Sequence, residues 1–444
     1  MQFENTPVVA PTRAGAPPPP PAPGERPGSS FRWTICALLF AATTINYIDR
    51  QVLGILAPTL QKDLGWSEVD YAKIVSYFSL AYGIGLLGMG RLLDRIGVRR
   101  GLAGSIVAWS LAAMSHAVAS TVTGFSVARA ALGISEAGNF PGAVKAVAEW
   151  FPKKERALAT GIFNAGSNVG AVLTPILVPW IALTWGWRWA FIATGALGFV
   201  WLLAWLAIYR EPERHPRVSP SELAHIRSDP AERTEPVRWL GLLAKRQTWA
   251  FVAGKAMTDP IWLFYLFWLP KFLDSGYGIK LGALALPLIV IYVVADVGSV
   301  GGGWLSSALI SRGWTVNRGR KTAMLLAALA IVPTMFATRA GSLWIAVGIV
   351  SVAAAAHQWW SANLYTLVSD MFPRRAVGSV VGIGGFLGAI ASMLFQRLTG
   401  YILQTTHSNY GVIFVICGLA YVSAWLVIQL LVPRMEPADV DVAG

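Results

Sequence analysis

The sequence predicts an all-α polytopic membrane protein of twelve transmembrane helices in two pseudo-symmetric six-helix halves. Three observations carry that expectation. Of the 444 residues 55% are apolar and only 13% charged, where a soluble domain carries roughly a quarter. Mean hydropathy is +0.53, and about twelve windows each reach the roughly 20 residues that one span needs. A sequence string also recurs between the two halves. The apolar runs are long and unbroken, unlike the alternating segments of a membrane β-barrel.

Residues 1–32 read as a disordered, Pro-rich cytoplasmic N-terminus, with "APPPPPAPGERPGSS" at 16–30. They lack the apolar stretch of a cleaved signal peptide, so the first span is expected to remain. Spans are expected at 33–60, 72–93, 101–121, 123–150, 156–183 and 187–209, the N-terminal half (33–209). Six more are expected at 247–273, 282–310, 320–339, 342–371, 376–403 and 409–433, the C-terminal half (247–433). The longest polar segment, "REPERHPRVSPSELAHIRSDPAERTEPVRW" at 210–239, divides the halves. This linker, 210–246, is expected to be cytoplasmic and to carry at most one short amphipathic helix. Residues 434–444 form a cytoplasmic tail.

A net charge of +13 and a pI near 9.9 invite a polyanionic partner, but the charges sit at alternate loops. Arg91, Arg95, Arg99 and Arg100 follow the second span, and Lys153, Lys154 and Arg156 the fourth. Arg312, Arg318, Arg320 and Lys321 follow the eighth, and Arg374 and Arg375 the tenth. The loop "SHAVASTVTG" (115–124) has no Lys or Arg. This positive-inside pattern places both termini in the cytoplasm. It makes the lipid bilayer the partner and excludes nucleic acid. Cys36 and Cys417 fall inside apolar spans and read as packing residues.

"EWFPKKERALATGI" at 149–162 aligns without gaps on "DMFPRRAVGSVVGI" at 370–383. Carried upstream, the same offset sets Glu136 opposite His357 and Asn139 opposite Trp360. Parallel six-span halves that rock about a midplane site are one way to build a transporter. "GRLLDRIGVRR" (90–100), at the exit of the second span, resembles the signature loop of the major facilitator superfamily. Gly90, Asp94, Arg95, Gly97 and Arg99 are its gate residues. Gly90 would admit a neighbouring helix, and Asp94 would accept bonds from Arg99 or a helix N-terminus. The matching stretch of the second half, 301–321, keeps the glycines and basic residues but lacks the acid. The latch is therefore expected to be stronger on the N-terminal half.

Charge inside a membrane span marks function by default. The spans hold Asp49 and Arg50 (first), Arg129 and Glu136 (fourth), Lys255 and Asp259 (seventh) and His357 (tenth). Arg129 and Glu136 share a face two turns apart, and Lys255 and Asp259 are spaced to pair. His357, Trp360 and Ser361 lie along one side of span ten, with Gln358 and Trp359 on its shoulder. Lys145 and Arg397, nearer helix ends, read as snorkelling. The plain alternative is that these charges neutralise each other and only fix packing. Asp49 and Arg50 are adjacent, about 100° apart around a helix, and so face different ways. In the resembled fold the helices that carry these charges line a central cavity. Acids with several cations suit a proton-coupled carrier of a small organic anion. Low-dielectric surroundings let a carboxylate bind a proton near neutral pH, and Arg or Lys supplies charge-assisted bonds to an anion. Tyr47, Tyr82, Asn168, Trp359, Trp360 and Asn363 suit hydroxyls and a sugar face.

"NYIDRQVLGILAPTLQKDLGW", "ARAALGISEAGNFPGAVKAVAEWFPKKERALATGIFNAGSNVGA", "TDPIWLFYLFWLPKFL" and "HQWWSANLYTLVSDMFPRRAVGSVVGIGG" narrow the likeness to the anion:cation symporter family, most of all bacterial hexuronate transporters. It runs from about residue 32 to 433. The resemblance implies import of glucuronate and galacturonate with protons through the bacterial inner membrane. It implies proton coupling by Asp49, and Glu136 as the main proton carrier with Arg129 as its partner; His357, opposite Glu136 in the repeat, is expected to join them. Substrate contacts are expected from Tyr47, Arg50, Tyr82, Ser167, Asn168, Lys255, Gln358, Trp360 and Asn363. Ser167 stands where a related galactonate carrier has glutamine, and "GIGGFLG" (382–388) lacks an asparagine that some relatives place there.

Alternatives of cargo are aldonates or aldarates. An alternative of class is a non-transporting sugar-acid sensor on the same scaffold. No nucleophile–base arrangement or metal-ligand cluster stands out, so no enzyme, metal or cofactor is expected. The protein is expected to work as a monomer.

Overall fold

The computed structural model describes residues 30–228 and 239–439, which contain helices and no strands. The expected disorder of the Pro-rich start falls on residues that lie, up to 29, outside the described ones. The N-terminal half consists of α1 (Arg32–Leu64), α2 (Glu68–Ile96), α3 (Val98–Ser115), α4 (Val122–Glu136), α5 (Asn139–Trp150), α6 (Lys153–Trp185) and α7 (Trp187–Ile208). Two short linker helices follow, α8 (Pro220–Ile226) and α9 (Trp239–Leu243). The C-terminal half consists of α10 (Arg246–Tyr277), α11 (Ala285–Ser311), α12 (Val316–Ile331), α13 (Leu343–Met371), α14 (Arg374–Thr405) and α15 (Gly411–Leu431). With α4 and α5 counted together, these make twelve spans.

Eight of the described helices are long and apolar enough to cross a membrane by composition alone. The spans outside that set are α1, α3, α4–α5 and α10. Three of them carry Asp49 and Arg50, Arg129 and Glu136, or Lys255 and Asp259. α4 and α5 are each too short to qualify, while in α1 and α10 the site charges must be buried among neighbouring helices rather than in lipid.

Local chemistry sets the ends. α1 stops at Gly65, whose φ of +68° is left-handed and whose N–H bonds the Gln61 carbonyl, a conformation that costs other residues about 1–2 kcal/mol. α2 opens with a reciprocal cap between Ser67 and Asp70. Span four, expected as one helix, breaks at Ala137–Gly138, directly after Glu136. Pro141 lacks the N–H that would bond the Ala137 carbonyl. Its counterpart in the repeat is Ala362, and α13 is continuous there. Pro333 similarly ends α12, and span nine finishes as a 3₁₀ stretch, Val332–Arg339.

The halves repeat one packing plan: α1 lies on α6 as α10 lies on α14, and α2 on α4 as α11 on α13. Across the interface α2 packs on α14, α6 on α11 and α1 on α10. The α1–α6 crossing depends on Gly166 and Gly170. A Cβ at 166 would stand 2.3 Å from the Phe40 carbonyl oxygen, and one at 170 would stand 2.6 Å from that of Thr44. Small residues one turn apart are the usual means of close approach in membranes.

The linker holds more structure than the single helix expected: a 3₁₀ turn, Pro212–Arg214, besides α8 and α9. α8 docks on the N-terminal half, where buried Glu222 accepts bonds from both the Arg32 N–H and Nη1 at 3.1 Å. Glu155 joins the same cluster, bonding Arg32 at 2.8 Å and His225 at 2.9 Å. Tertiary partners, invisible in a charged, Pro-rich string, stabilise these short pieces. The tail is likewise tied down: the Ala438 N–H bonds the Met371 carbonyl at 2.7 Å. Cys36 and Cys417 are buried and free.

Candidate functional site

The central charges gather where the halves meet. Asp49 (2% exposed), Arg50 (6%), Arg129 (0%) and Glu136 (1%) are all buried. Arg50 Nε and Nη2 both reach Glu136 Oε2 at 2.9 Å, and Nη2 also bonds Asn46 Oδ1 at 3.2 Å. Its guanidinium lies 4.8 Å from the ring centroids of both Tyr47 and Tyr82 and 5.3 Å from that of Phe78. Arg50 is thus held by one carboxylate and an aromatic cage.

Arg129, the expected partner of Glu136, does not pair with it. It donates instead to the Arg50 carbonyl at 3.0 Å, and its Nε and Nη1 have no hydrogen-bond partner. Glu136 Oε1 and both oxygens of Asp49 are buried without a hydrogen-bond partner. Glu136, Arg129 and Thr194 of α7 form the polar surroundings of Asp49. Adjacent in sequence, Asp49 and Arg50 therefore do separate things.

In the C-terminal half, Lys255 pairs with Asp259 at 2.7 Å and with Tyr365 Oη at 3.0 Å. The Tyr365 ring also packs against Phe251 at 5.9 Å. His357 hydrogen-bonds Tyr421 and stacks on Trp262 at 4.9 Å. Those partners belong to its own half, and the structure does not bring it onto Glu136. Trp360 is fully buried against Tyr421 at 5.6 Å. Asn363 donates to the Gly302 and Trp359 carbonyls at 3.2 and 3.0 Å, inside the α11–α13 contact.

A small cavity opens between the halves. Tyr47, Ser167, Asn168 and Ala171 line it from one side and Trp262, Tyr292, Ala295, Asp296 and Gln358 from the other. Gln358, not Trp360, is the span-ten residue that reaches it. Asp296, in span eight, escaped the sequence reading although an acid among "YVVADVGSV" carries the same signal as Asp49. No group of His, Cys, Asp and Glu suited to a metal occurs among the described residues.

The ends of the molecule differ. At the end away from the termini the halves are sealed: Lys271 pairs with Glu68, Tyr71 Oη donates to the Phe267 carbonyl at 2.6 Å and Arg397 Nε to Ser76 Oγ at 3.1 Å. Arg397 thus bonds across the interface rather than snorkelling. At the terminal end no hydrogen bond joins α5 to α13 among the described residues. The gate loop there departs from expectation. Asp94 accepts from Lys145 at 2.6 Å, within one half, while Arg99 donates to the Leu206 carbonyl at 2.6 Å. Gly97 makes the turn at φ +78°, Arg95 is exposed, and no neighbour stands within 4 Å of a Cβ built on Gly90. The second half recruits its missing acid from span ten, since Arg320 pairs with Asp370 at 3.1 Å.

The Major Facilitator Superfamily model matches residues 39–396. The chain belongs to this superfamily. Its members are transporters and not enzymes, and twelve spans with a polar interface between six-helix halves fit that class. The chain is 32% identical over 408 residues to the hexuronate transporter of Escherichia coli (strain K12), covering 90% of this chain and 94% of that one. It is 30% identical over 423 residues to a probable galactarate/D-glucarate transporter of Bacillus subtilis (strain 168), covering 91% and 92%. The fold is also that of a crystallised D-xylose–proton symporter, with a TM-score of 0.72, 17% identity and coverage of 92% and 99%.

Proposed function

We propose that this superfamily member is a proton-coupled symporter that imports hexuronates across the bacterial inner membrane by alternating access. The observation that carries the reading is the buried Arg50–Glu136 pair beside a second, unpaired acid, Asp49. Leaving one member of a buried ion pair alone costs about 3–5 kcal/mol. An anion that takes Arg50 without a proton strands Glu136. A proton on Glu136 without an anion strands Arg50. Only joint binding neutralises both, and that is the physical content of symport.

In this mechanism Glu136 takes the proton, Arg50 turns its freed N–H donors to the substrate carboxylate, and Tyr47 and Tyr82 hold the guanidinium in place. Arg129 steadies the Arg50 backbone, and Asp49 provides a second proton site on the other side of α1. On the positive-inside pattern the termini lie in the cytoplasm, which makes the sealed end the periplasmic one. One chain holds the whole site, which supports action as a monomer. Similarity to the hexuronate transporter supports the cargo, and similarity to the galactarate/D-glucarate transporter keeps other sugar acids as the second reading.

The test is glucuronate uptake into proteoliposomes. Accumulation is expected to collapse with a protonophore, and Glu136→Gln is expected to lose accumulation while keeping exchange between loaded vesicles. Uptake indifferent to the proton gradient, or an accumulating Glu136→Gln variant, refutes the coupling.

A further inference from the structure

We infer that Asp296 is a specificity-determining residue that accepts hydrogen bonds from substrate hydroxyls and selects sugar acids with one carboxylate against those with two. The inference rests on the sugar-acid reading above and names the class within it.

The observations are local. The other acids of the central region have cations near them: Glu136 is bonded to Arg50, Asp259 to Lys255, and Asp49 lies within range of Arg129. Asp296 is half-buried and forms no ion pair or hydrogen bond among the described residues. Yet it lines the cavity between the halves, whose walls hold no Lys, Arg or His. Its companions are neutral hydrogen-bonding groups, Ser167, Asn168 and Gln358, and the ring of Trp262. That set suits a polyhydroxyl chain or a sugar face. A carboxylate acceptor can bind two vicinal hydroxyls at once, whereas a ligand carboxylate placed there meets a like charge with no cation to offset it.

Tyr47 fixes the orientation. Its ring lies 4.8 Å from the Arg50 guanidinium and also lines the cavity. A ligand crossing Tyr47 therefore has its carboxylate at Arg50 and its hydroxyl-bearing end towards Asp296. Uronates and aldonates, charged at one end, fit this polarity. Aldarates, charged at both ends, bring their second carboxylate onto Asp296.

The experiment is competition against radiolabelled glucuronate uptake in proteoliposomes of the full chain, with galacturonate, gluconate, glucarate and galactarate as competitors. In the wild type the two aldarates are expected to compete at least about tenfold more weakly than galacturonate, since like charges juxtaposed in a binding site are strongly disfavoured. Asp296→Asn is expected to shrink that gap to under about threefold and to raise the KM for glucuronate, while Asp296→Glu keeps the gap. Asp296→Ser replaces the Asn variant if that one fails to assemble by size-exclusion chromatography. A gap unchanged in the neutral variants, or aldarates competing better than galacturonate in the wild type, overturns the inference and leaves transport of sugar acids standing. Loss of accumulation in Asp296→Asn with exchange and competitor ranking intact also overturns it, in favour of a proton-carrying role. Absence of any sugar-acid uptake by the wild type refutes the functional reading itself, and this inference with it.

Discussion

Arg50 and Glu136 meet at 2.9 Å from two different spans, α1 and α4, while Asp49, the sequence neighbour of Arg50, keeps both carboxylate oxygens unbonded. The acid and base at the centre of the first span are thus not a self-neutralising pair. Arg50 is engaged across the bundle, and Asp49 faces Thr194, Arg129 and Glu136 instead.

Arg50→Lys is expected to lower uptake at least about tenfold, because an ammonium cannot match the planar fork or its stacking on aromatic rings. Here the fork contacts Glu136 and Asn46 together and lies against Tyr47 and Tyr82. A charge that only neutralised Glu136 would tolerate the exchange. Initial uptake rates, normalised to reconstituted protein, decide between the two.

The Glu68–Lys271 pair is expected to hold the end away from the termini shut. Lys271 is buried and Glu68 half-buried, with side chains 7% and 19% exposed, so removing one alone costs up to about 3 kcal/mol. Glu68→Gln is expected to open that end more than the double variant Glu68→Gln/Lys271→Met does. Spin labels on cysteines at Val118 and Leu286, exposed on opposite halves at that end, report the distance.

Gly166→Leu is expected to destabilise the α1–α6 crossing, since the added Cβ meets the Phe40 carbonyl at 2.3 Å and backbone cannot swing aside as a side chain does. Overpacking of this kind costs about 1–3 kcal/mol. A lower melting temperature in detergent is the readout, and Gly161→Ala, with open space around it, is the control.

The docking of α8 is expected to depend on pH through Glu155. Burial alone would raise this carboxyl, but hydrogen bonds from Arg32 and His225 outweigh it and hold it below its ordinary 4.5. A lowered carboxyl stabilises fully above that ordinary value and loses its contribution as pH falls through the lowered one. Amide exchange of residues 221–226, corrected for intrinsic rate, is expected to accelerate below about pH 4.5 in the wild type. In Arg32→Gln it is expected to be fast already at neutral pH.

Much of the molecule was legible in one dimension. The charge in spans one, four, seven and ten and the repeat at 149–162 and 370–383 were readable because hydropathy, charge and motif spacing are properties of the chain itself. Asp296 is legible by the same rule that singles out Asp49, an acid within an apolar span. The break after Glu136 was also signalled, by Pro141, but in a span whose hydropathy ran on unbroken.

By itself, then, the sequence determined the membrane class, the two six-span halves, the family likeness and which charges are costly enough to need a purpose. Only the tertiary structure decided their partners. Arg50 rather than Arg129 bonds Glu136, Gln358 rather than Trp360 lines the cavity, and Lys145 rather than Arg99 meets Asp94. Each of these choices turns on the rotation of one helix against its neighbours. Successive side chains point about 100° apart, so a one-residue difference in facing moves a group from cavity to core, and packing between distant segments sets that rotation.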